Sequence, residues 1–272
     1  CIRDSLYTGR MPKGSLGLVT GASSGIGKAF AAQLAAEGYH LVLVARRREQ
    51  LEVLAKELAE SFEVHVELLP ADLTRPEDLR RVEVRLQRDP VVDLLVNSAG
   101  FGTGRPFLEV APDRIEAEIR LNALATIRLV RAVLPGMVSR GQGAIINVSS
   151  AMGFQGNPFF ANYGATKAYL SNVTQALADE HRSTGVRFQA LCPGPVRTEF
   201  GEVAGIDDGG FPAFTVLRPE QVVNASLRAL AKGKEICIPG VAMRTTAWLT
   251  SRLPSHMSRL FYRWFGRRYY LG

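Results

Sequence analysis

Tyr163 and Lys167 stand four residues apart in the run Tyr163-Gly164-Ala165-Thr166-Lys167. On a helix that spacing puts both side chains on one face, about a turn apart. A free phenol titrates near ~10 and exchanges protons poorly at neutral pH. A neighbouring ammonium favours the phenolate and lowers that pKa, which is what a general acid/base requires. A β-rich run ends in Val148-Ser149-Ser150, thirteen residues before Tyr163. The Ser150 hydroxyl can hold a substrate oxygen within reach of the phenol. A lone Tyr-x-x-x-Lys is usually a surface coincidence; a serine pair closing a strand at this distance argues against chance.

A second group of residues suits phosphates. Thr20-Gly21-Ala22-Ser23-Ser24-Gly25-Ile26-Gly27 follows an apolar run and opens a helical pattern. Gly21 permits a tight turn, and Gly25 and Gly27 let backbone and helix approach a pyrophosphate facing the free N–H groups of the helix start. The next strand-like run ends in Ala45-Arg46-Arg47-Arg48. An acid here would accept the ribose hydroxyls of NAD. Arginine, with its planar fork, suits a 2′-phosphate instead. Arg46, helped by Arg47 and Ser24, therefore points to NADP(H). Asp72 follows a third run, and could equally cap the helix that begins at Pro76. Ser98, Ala99 and Gly100 follow a fourth, and are small enough for a ring to lie against backbone.

These residues need a frame that gathers strand ends. Strand-like runs occur at Leu16–Thr20, Leu41–Ala45, Val64–Leu69, Leu94–Val96, Ala144–Val148, Val186–Leu191 and Glu235–Ile238, with helix-length segments between them. Residues 49–60 place Leu51, Leu54, Ala55 and Leu58 on one helical face. Apolar strands such as LVLVA imply burial on both faces, hence a parallel sheet between helices. The expected fold is α/β: a single doubly wound parallel sheet of Rossmann type, about seven strands, with helices on both faces. Ligands then bind beyond the carboxyl ends of the strands.

Composition bounds the function classes. The 272 residues suffice for one large α/β domain. The formal charge of +7 is uneven: residues 241–272 hold six Arg and no acid, residues 1–10 add one positive charge, and residues 11–240 are neutral. A phosphate-tracking surface needs basic residues gathered on the folded body, so no nucleic-acid partner is expected. Cys1, Cys192 and Cys237 have no paired or metal-like spacing, and the four His are scattered, so no metal site is expected. This cysteine usage fits a reducing cytosol. CIRDSLYTGR lacks the apolar stretch of a signal peptide. No apolar run reaches the ~18 residues of a spanning helix. We expect a cytoplasmic protein in three parts: residues 1–12, a disordered or artefactual segment; residues 13–240, the catalytic domain; and residues 241–272, a basic amphipathic helical extension.

The motifs taken together resemble the short-chain dehydrogenase/reductase family over roughly residues 14–240. They are TGASSGIG at 20–27, ADL at 71–73, NSAG at 97–100, Asn122 in IRLNALA, VSS at 148–150, YGATK at 163–167 and PGPVRT at 193–198. The resemblance implies an NADP(H)-dependent enzyme interconverting a ketone or aldehyde and an alcohol. Tyr163 then serves as general acid in reduction and base in oxidation. Lys167 tunes it, binds the nicotinamide ribose and passes protons toward solvent with Asn122, while Ser150 orients the carbonyl. Gly21, Ser23, Ser24, Gly25, Ile26 and Gly27 enter the cofactor site with Arg46, Arg47, Asp72 and Leu73. Ser98, Ala99 and Gly100 join them, and Pro193, Gly194, Val196 and Thr198 border the nicotinamide and diphosphate. The family's usual NNAG reads NSAG here, which weakens the adenosine-side contacts and leaves the chemistry intact. The general style is similar to a broad bacterial group akin to long-chain 3-oxoacyl reductases and 17β-hydroxysteroid dehydrogenases.

In this family the segment after PG covers the substrate; here it is Glu199 to Phe214. Phe200, Phe211 and Phe214, with Met152, Phe154, Phe159 and Phe160, suggest a hydrophobic substrate, although half of these aromatics could simply pack the core. From Ser255 a helical wheel groups Met257, Leu260, Phe261, Trp264 and Phe265 apart from arginines. Such a helix can lie on an anionic membrane, cover a neighbouring subunit or roof the pocket. The resemblance implies a homodimer or homotetramer, formed partly by the long helices after the fourth and fifth strands. A cofactor sensor without turnover, a membrane-surface scaffold and a same-fold epimerase are the competing readings.

Overall fold

The computed structural model describes residues 14–88, 91–205 and 215–252. β1 (Leu16–Thr20) leads into α1 (Gly25–Ala36), β2 (His40–Ala45) into α2 (Arg48–Phe62), and β3 (Val66–Pro70) into α3 (Pro76–Leu86). β4 (Leu94–Asn97) precedes one helical run made of α4 (Pro112–Ile119), a π-helical turn (Arg120–Ala125) and α5 (Thr126–Arg140). β5 (Gly143–Val148) and α6 (Ala161–Glu180) follow, then β6 (Val186–Leu191), α7 (Phe200–Ala204), α8 (Pro219–Ala231), β7 (Ile236–Cys237) and α9 (Val241–Arg252). The sheet runs β3-β2-β1-β4-β5-β6-β7 and its strands pair in parallel. The doubly wound sheet expected from the apolar runs is therefore present.

Period-2 alternation sends successive strand residues to opposite faces. Val19, Leu43, Val96 and Ile146 pack with Phe30, Leu34, Leu51 and Val222 on the face covered by α1, α2 and α8. Leu18, Val42, Leu95 and Ile145 meet Leu79, Val82, Leu129 and Met137 on the face covered by α3 and α5. Leu51, Leu54 and Leu58 are buried as the helical spacing predicts. Pro76 opens α3 with Glu77 and Asp78 in its first turn, a favourable pairing with the helix dipole.

Two elements differ from expectation. β3 starts at Val66 and reaches Pro70, and each of its residues is only half-buried. It is the last strand of the sheet, where an imino residue costs no ladder bond. β7 is reduced to two residues. The helical run Pro112–Arg140 contains an 18-residue window of mean hydropathy 1.4, but half of that window is buried in the fold; it is a core helix laid on the sheet.

The strand order reverses between β1 and β4, and this is where the loops bearing the motifs meet. Residues 1–12, Phe211 and Phe214 of the expected substrate cover, and the apolar face beginning at Met257 all lie outside the described residues.

Candidate active site

Backbone geometry explains the glycines after β1. Gly21 has φ +67°, and a Cβ there would sit 2.9 Å from the Ala99 backbone. A Cβ on Gly27 would sit 2.2 Å from the Gly21 carbonyl oxygen. The loops after β1 and β4 are thus in contact, and Thr20 locks them: its Oγ1 accepts from the amides of Ser98 and Ala99, both at 3.0 Å. Thr20 is buried and was not singled out from sequence, because its partners lie far along the chain. At the start of α1, the Ser24 side chain makes no capping bond and the first turn carries no acid. Its N–H groups are left for an external anion, so this end of the site fits a diphosphate.

A cavity of about 550 Å³ runs from Arg46 and Arg47 to Tyr163 and Lys167. Ser23, Ser24, Gly25 and Ile26 line it, as do Asp72 and Leu73, Ser98 to Gly100, and Pro193, Gly194, Val196 and Thr198. Gly27 is packed beneath that wall and Asn122 behind it. Arg46 is exposed at the rim. Arg47 donates to Ser23 Oγ through Nε and Nη2 at 3.3 and 3.2 Å. Asp72 accepts from the amide and hydroxyl of Thr74 at 3.0 and 2.7 Å; it shapes a turn, while Arg75 occupies the N-cap position of α3. Two arginines and an uncapped helix start fit a dinucleotide carrying a 2′-phosphate.

At the other end, Tyr163 and Lys167 both lie on α6 and are buried. The Lys167 ammonium donates to the Val148 carbonyl at 2.7 Å and lies 5.6 Å from the centre of the Tyr163 ring. Ser150, just past β5, lines the same cavity as Tyr163, and its hydroxyl oxygen accepts from the Met152 amide at 3.1 Å. Asn122 sits in the π-helical turn, a local widening that often marks functional sites. Its Nδ2 donates to Phe101 O at 2.8 Å and to Thr166 Oγ1 at 3.1 Å, and its Oδ1 accepts from the Phe101 amide at 3.1 Å. Gly100 separates Asn122 from Lys167: a Cβ there would lie 2.9 Å from Asn122 Oδ1 and 3.4 Å from Lys167 Nζ. All four expected catalytic residues therefore converge.

The electrostatics differ from the simple expectation of a lowered phenol pKa. Burial raises the Tyr163 pKa above its ordinary value; the nearby Ser150 hydroxyl opposes the rise, and Glu118 and Cys192 add to it. Burial also pushes Lys167 down to about 8, so its charge is kept at neutral pH and lost as pH rises past that value. Tyr163 rests as a proton-loaded phenol. Were the ribose hydroxyls of a bound cofactor to accept from Lys167, the ammonium's pKa would rise again and binding would take up a proton above about pH 8. NADPH affinity is expected to be full below about 8 and to fall as pH rises through it. Calorimetric titration across that pH should show the fall in wild type and a flat profile in Lys167→Met.

The family model described as short chain dehydrogenase matches residues 16–207. The chain belongs to the short-chain dehydrogenase family. A short-chain dehydrogenase from Sphingobium yanoikuyae, solved in complex with NADPH, is 39% identical with a TM-score of 0.81, covering 88% of this chain and 96% of that one. The bulky-bulky ketone specific alcohol dehydrogenase from Comamonas testosteroni is 31% identical with a TM-score of 0.77, over 89% and 96%. Very-long-chain 3-oxoacyl-CoA reductase from Anas platyrhynchos is 32% identical over 250 residues, 89% of this chain and 77% of that protein. As a family member the chain is an NADP-dependent oxidoreductase of CH–OH and C=O groups, and the convergence of its motif residues on one cavity accords with that.

The substrate end holds residues that spacing did not reveal. Met243 and Thr246 of α9 line the cavity, and a Cβ on Gly194 would lie 2.5 Å from Met243 Cε. α9 thus closes one side of the pocket. Phe200 lies 5.3 Å from Tyr163 ring to ring, and Phe160 lies 6.0 Å from it. Met152 and Phe160 face the cavity as expected. Phe154 does not line it, and Phe159, held at φ +70°, lines a separate small hollow beside Glu118.

Proposed function

We propose that the protein is a carbonyl reductase for bulky apolar ketones, with Tyr163 as the proton donor. The observation that carries the reading is the buried Tyr163 phenol, one turn from Lys167, on the wall of a largely apolar cavity that Ser150 also lines. NADP(H), when bound, supplies the hydride. Ser150 donates a hydrogen bond to the substrate carbonyl oxygen and fixes it against the phenol. Tyr163 passes its proton to that oxygen as negative charge develops there. Lys167, one turn away on the same helix, stabilises the phenolate left behind. Asn122, clamped by Phe101 and Thr166, keeps the helix carrying Tyr163 registered against the loop after β4. In the reverse direction the same phenolate takes the alcohol proton.

Apolar specificity is supported by Phe101, Met152, Phe160, Phe200, Val203 and Met243 on the cavity wall, and by the bulky-ketone enzyme among its structural neighbours. Each buried methylene of a substrate is worth about 0.8 kcal/mol. kcat/KM for NADPH-dependent reduction should therefore rise steeply along a series of ketones and 3-oxoacyl thioesters of growing apolar length. A flat or falling series would refute the specificity. Met243→Ser should raise KM for the bulkiest members roughly tenfold and leave small ketones unchanged.

The catalytic unit is residues 13–240, with residues 241–272 as an extension that begins by closing the pocket. Free, buried Cys192 and Cys237 support a cytoplasmic setting. The exposed Ile119, Leu124 and Tyr169 support a homo-oligomer joined along α4–α5 and α6. Exposed Trp248 and Leu249 on α9 favour a second use of the tail, peripheral contact with an anionic membrane. Co-sedimentation of the full chain with anionic but not neutral vesicles tests it.

A further inference from the structure

Arg47 reaches across the mouth of the cofactor cavity. Besides Ser23, its guanidinium meets the Glu199 carboxylate at 2.9 Å. Ser23, Arg47 and Glu199 all line the cavity, so a carboxylate occupies the arginine that faces the phosphate end. Both side chains are about half exposed, 42% and 52%, and such a pair holds only weakly. A dianionic phosphate with three acceptor oxygens outcompetes a carboxylate for this fork.

Glu199 is also the residue from which α7 starts. Its carbonyl accepts from the Val203 amide at 3.1 Å. Phe200, next in sequence, packs on Tyr163, and Phe200, Gly201 and Val203 line the substrate part of the cavity. The far end of α7 is fastened separately: Arg114 donates to Val203 O at 3.2 Å, and the Gly104 amide donates to Ala204 O at 2.9 Å. α7 is therefore a short bar fastened at its far end by Arg114 and Gly104 and at its start by the Thr198 hydroxyl, which accepts from the Phe200 amide at 3.2 Å, and by the pairing of Glu199 with Arg47.

We propose that Glu199 is a specificity-determining latch, displaced from Arg47 by the cofactor's 2′-phosphate, so that NADP(H) but not NAD(H) frees the start of α7 at the substrate mouth. The inference rests on the NADP(H) reading of Arg46 and Arg47. A cofactor without the phosphate leaves the Arg47–Glu199 pair intact and Phe200 held against Tyr163. One with the phosphate takes Arg47, repels Glu199 and lets Phe200 and Val203 shift to admit substrate.

Two adenosine fragments test this without turnover: 2′,5′-ADP, which carries the 2′-phosphate, and 5′-AMP, which does not. By calorimetry, Glu199→Gln should bind 2′,5′-ADP about three- to fivefold more tightly than wild type, with 5′-AMP unchanged. The gain should shrink in high salt and vanish in an Arg47→Ala background. In wild type, 2′,5′-ADP should accelerate hydrogen exchange at the amides of Val203 and Ala204, 5′-AMP should not, and Glu199→Gln should exchange fast without either. Equal or weaker 2′,5′-ADP binding by Glu199→Gln, or α7 exchange indifferent to 2′,5′-ADP, overturns the latch alone. Failure of wild type to prefer 2′,5′-ADP over 5′-AMP overturns the phosphate reading beneath it.

Discussion

Tyr163→Phe should lower kcat for ketone reduction by roughly 10³-fold, within the range a positioned general acid contributes, while NADPH still binds. The phenyl ring retains the packing against Phe160 and Phe200 at 6.0 and 5.3 Å. The Lys167 bond to the Val148 carbonyl does not involve the phenol. What is lost is one proton on one oxygen. Steady-state kcat beside a fluorescence titration of NADPH separates the two quantities. A variant that lost binding together with turnover would mean that Tyr163 holds the cofactor rather than transferring protons. A variant that kept its turnover would remove Tyr163 from the chemistry.

Gly27→Val should abolish measurable NADPH binding and lower the melting temperature by several degrees. The added Cβ would stand 2.2 Å from the Gly21 carbonyl oxygen and 2.7 Å from its carbon. Neither neighbour is a flexible side chain, so the turn after β1 or the start of α1 must move. Overpacking of this kind costs about 1–3 kcal/mol, and the displaced loop no longer presents the helix start to a diphosphate. Gly156→Ala is the matched control, since nothing lies within 4 Å of a Cβ there. Thermal melts and NADPH titrations of the two variants should differ sharply. Equal behaviour would show that Gly27 does not hold helix and strand together.

The parts of the site that were legible from sequence share one property: their geometry is local. Tyr163 and Lys167 lie on a single helix, Ser150 two residues past a strand, and Gly21 to Gly27 in one strand–turn–helix unit. Periodicity and punctuation report such relations directly. Relations made by folding were not legible. Met243 enters the cavity because α9 turns back over Gly194, and no spacing encodes that return. Arg47 and Glu199 are apposed only because the loops after β2 and β6 end on the same side of the sheet. β3 reads from sequence as a strand-like run, but nothing in it tells that it lies at the sheet edge and is half-buried. The direction of the Tyr163 shift depends on total burial, a tertiary quantity, whereas the neighbouring ammonium that suggested the opposite sign is visible in five residues. Phe159 and Phe160 are adjacent in sequence but face different hollows, because Phe159 adopts a positive φ.

The central claim is that this cavity reduces a bulky apolar ketone with NADPH. Its most direct test is the loss of NADPH absorbance when the purified full chain meets a panel running from small polar ketones to long 3-oxoacyl thioesters and steroid ketones, with NADH run in parallel. The account predicts ketone-dependent NADPH oxidation that grows with apolar size and is weaker with NADH. Tight NADPH binding without turnover on any member of the panel would contradict it, and would leave a cofactor-binding protein in place of a reductase.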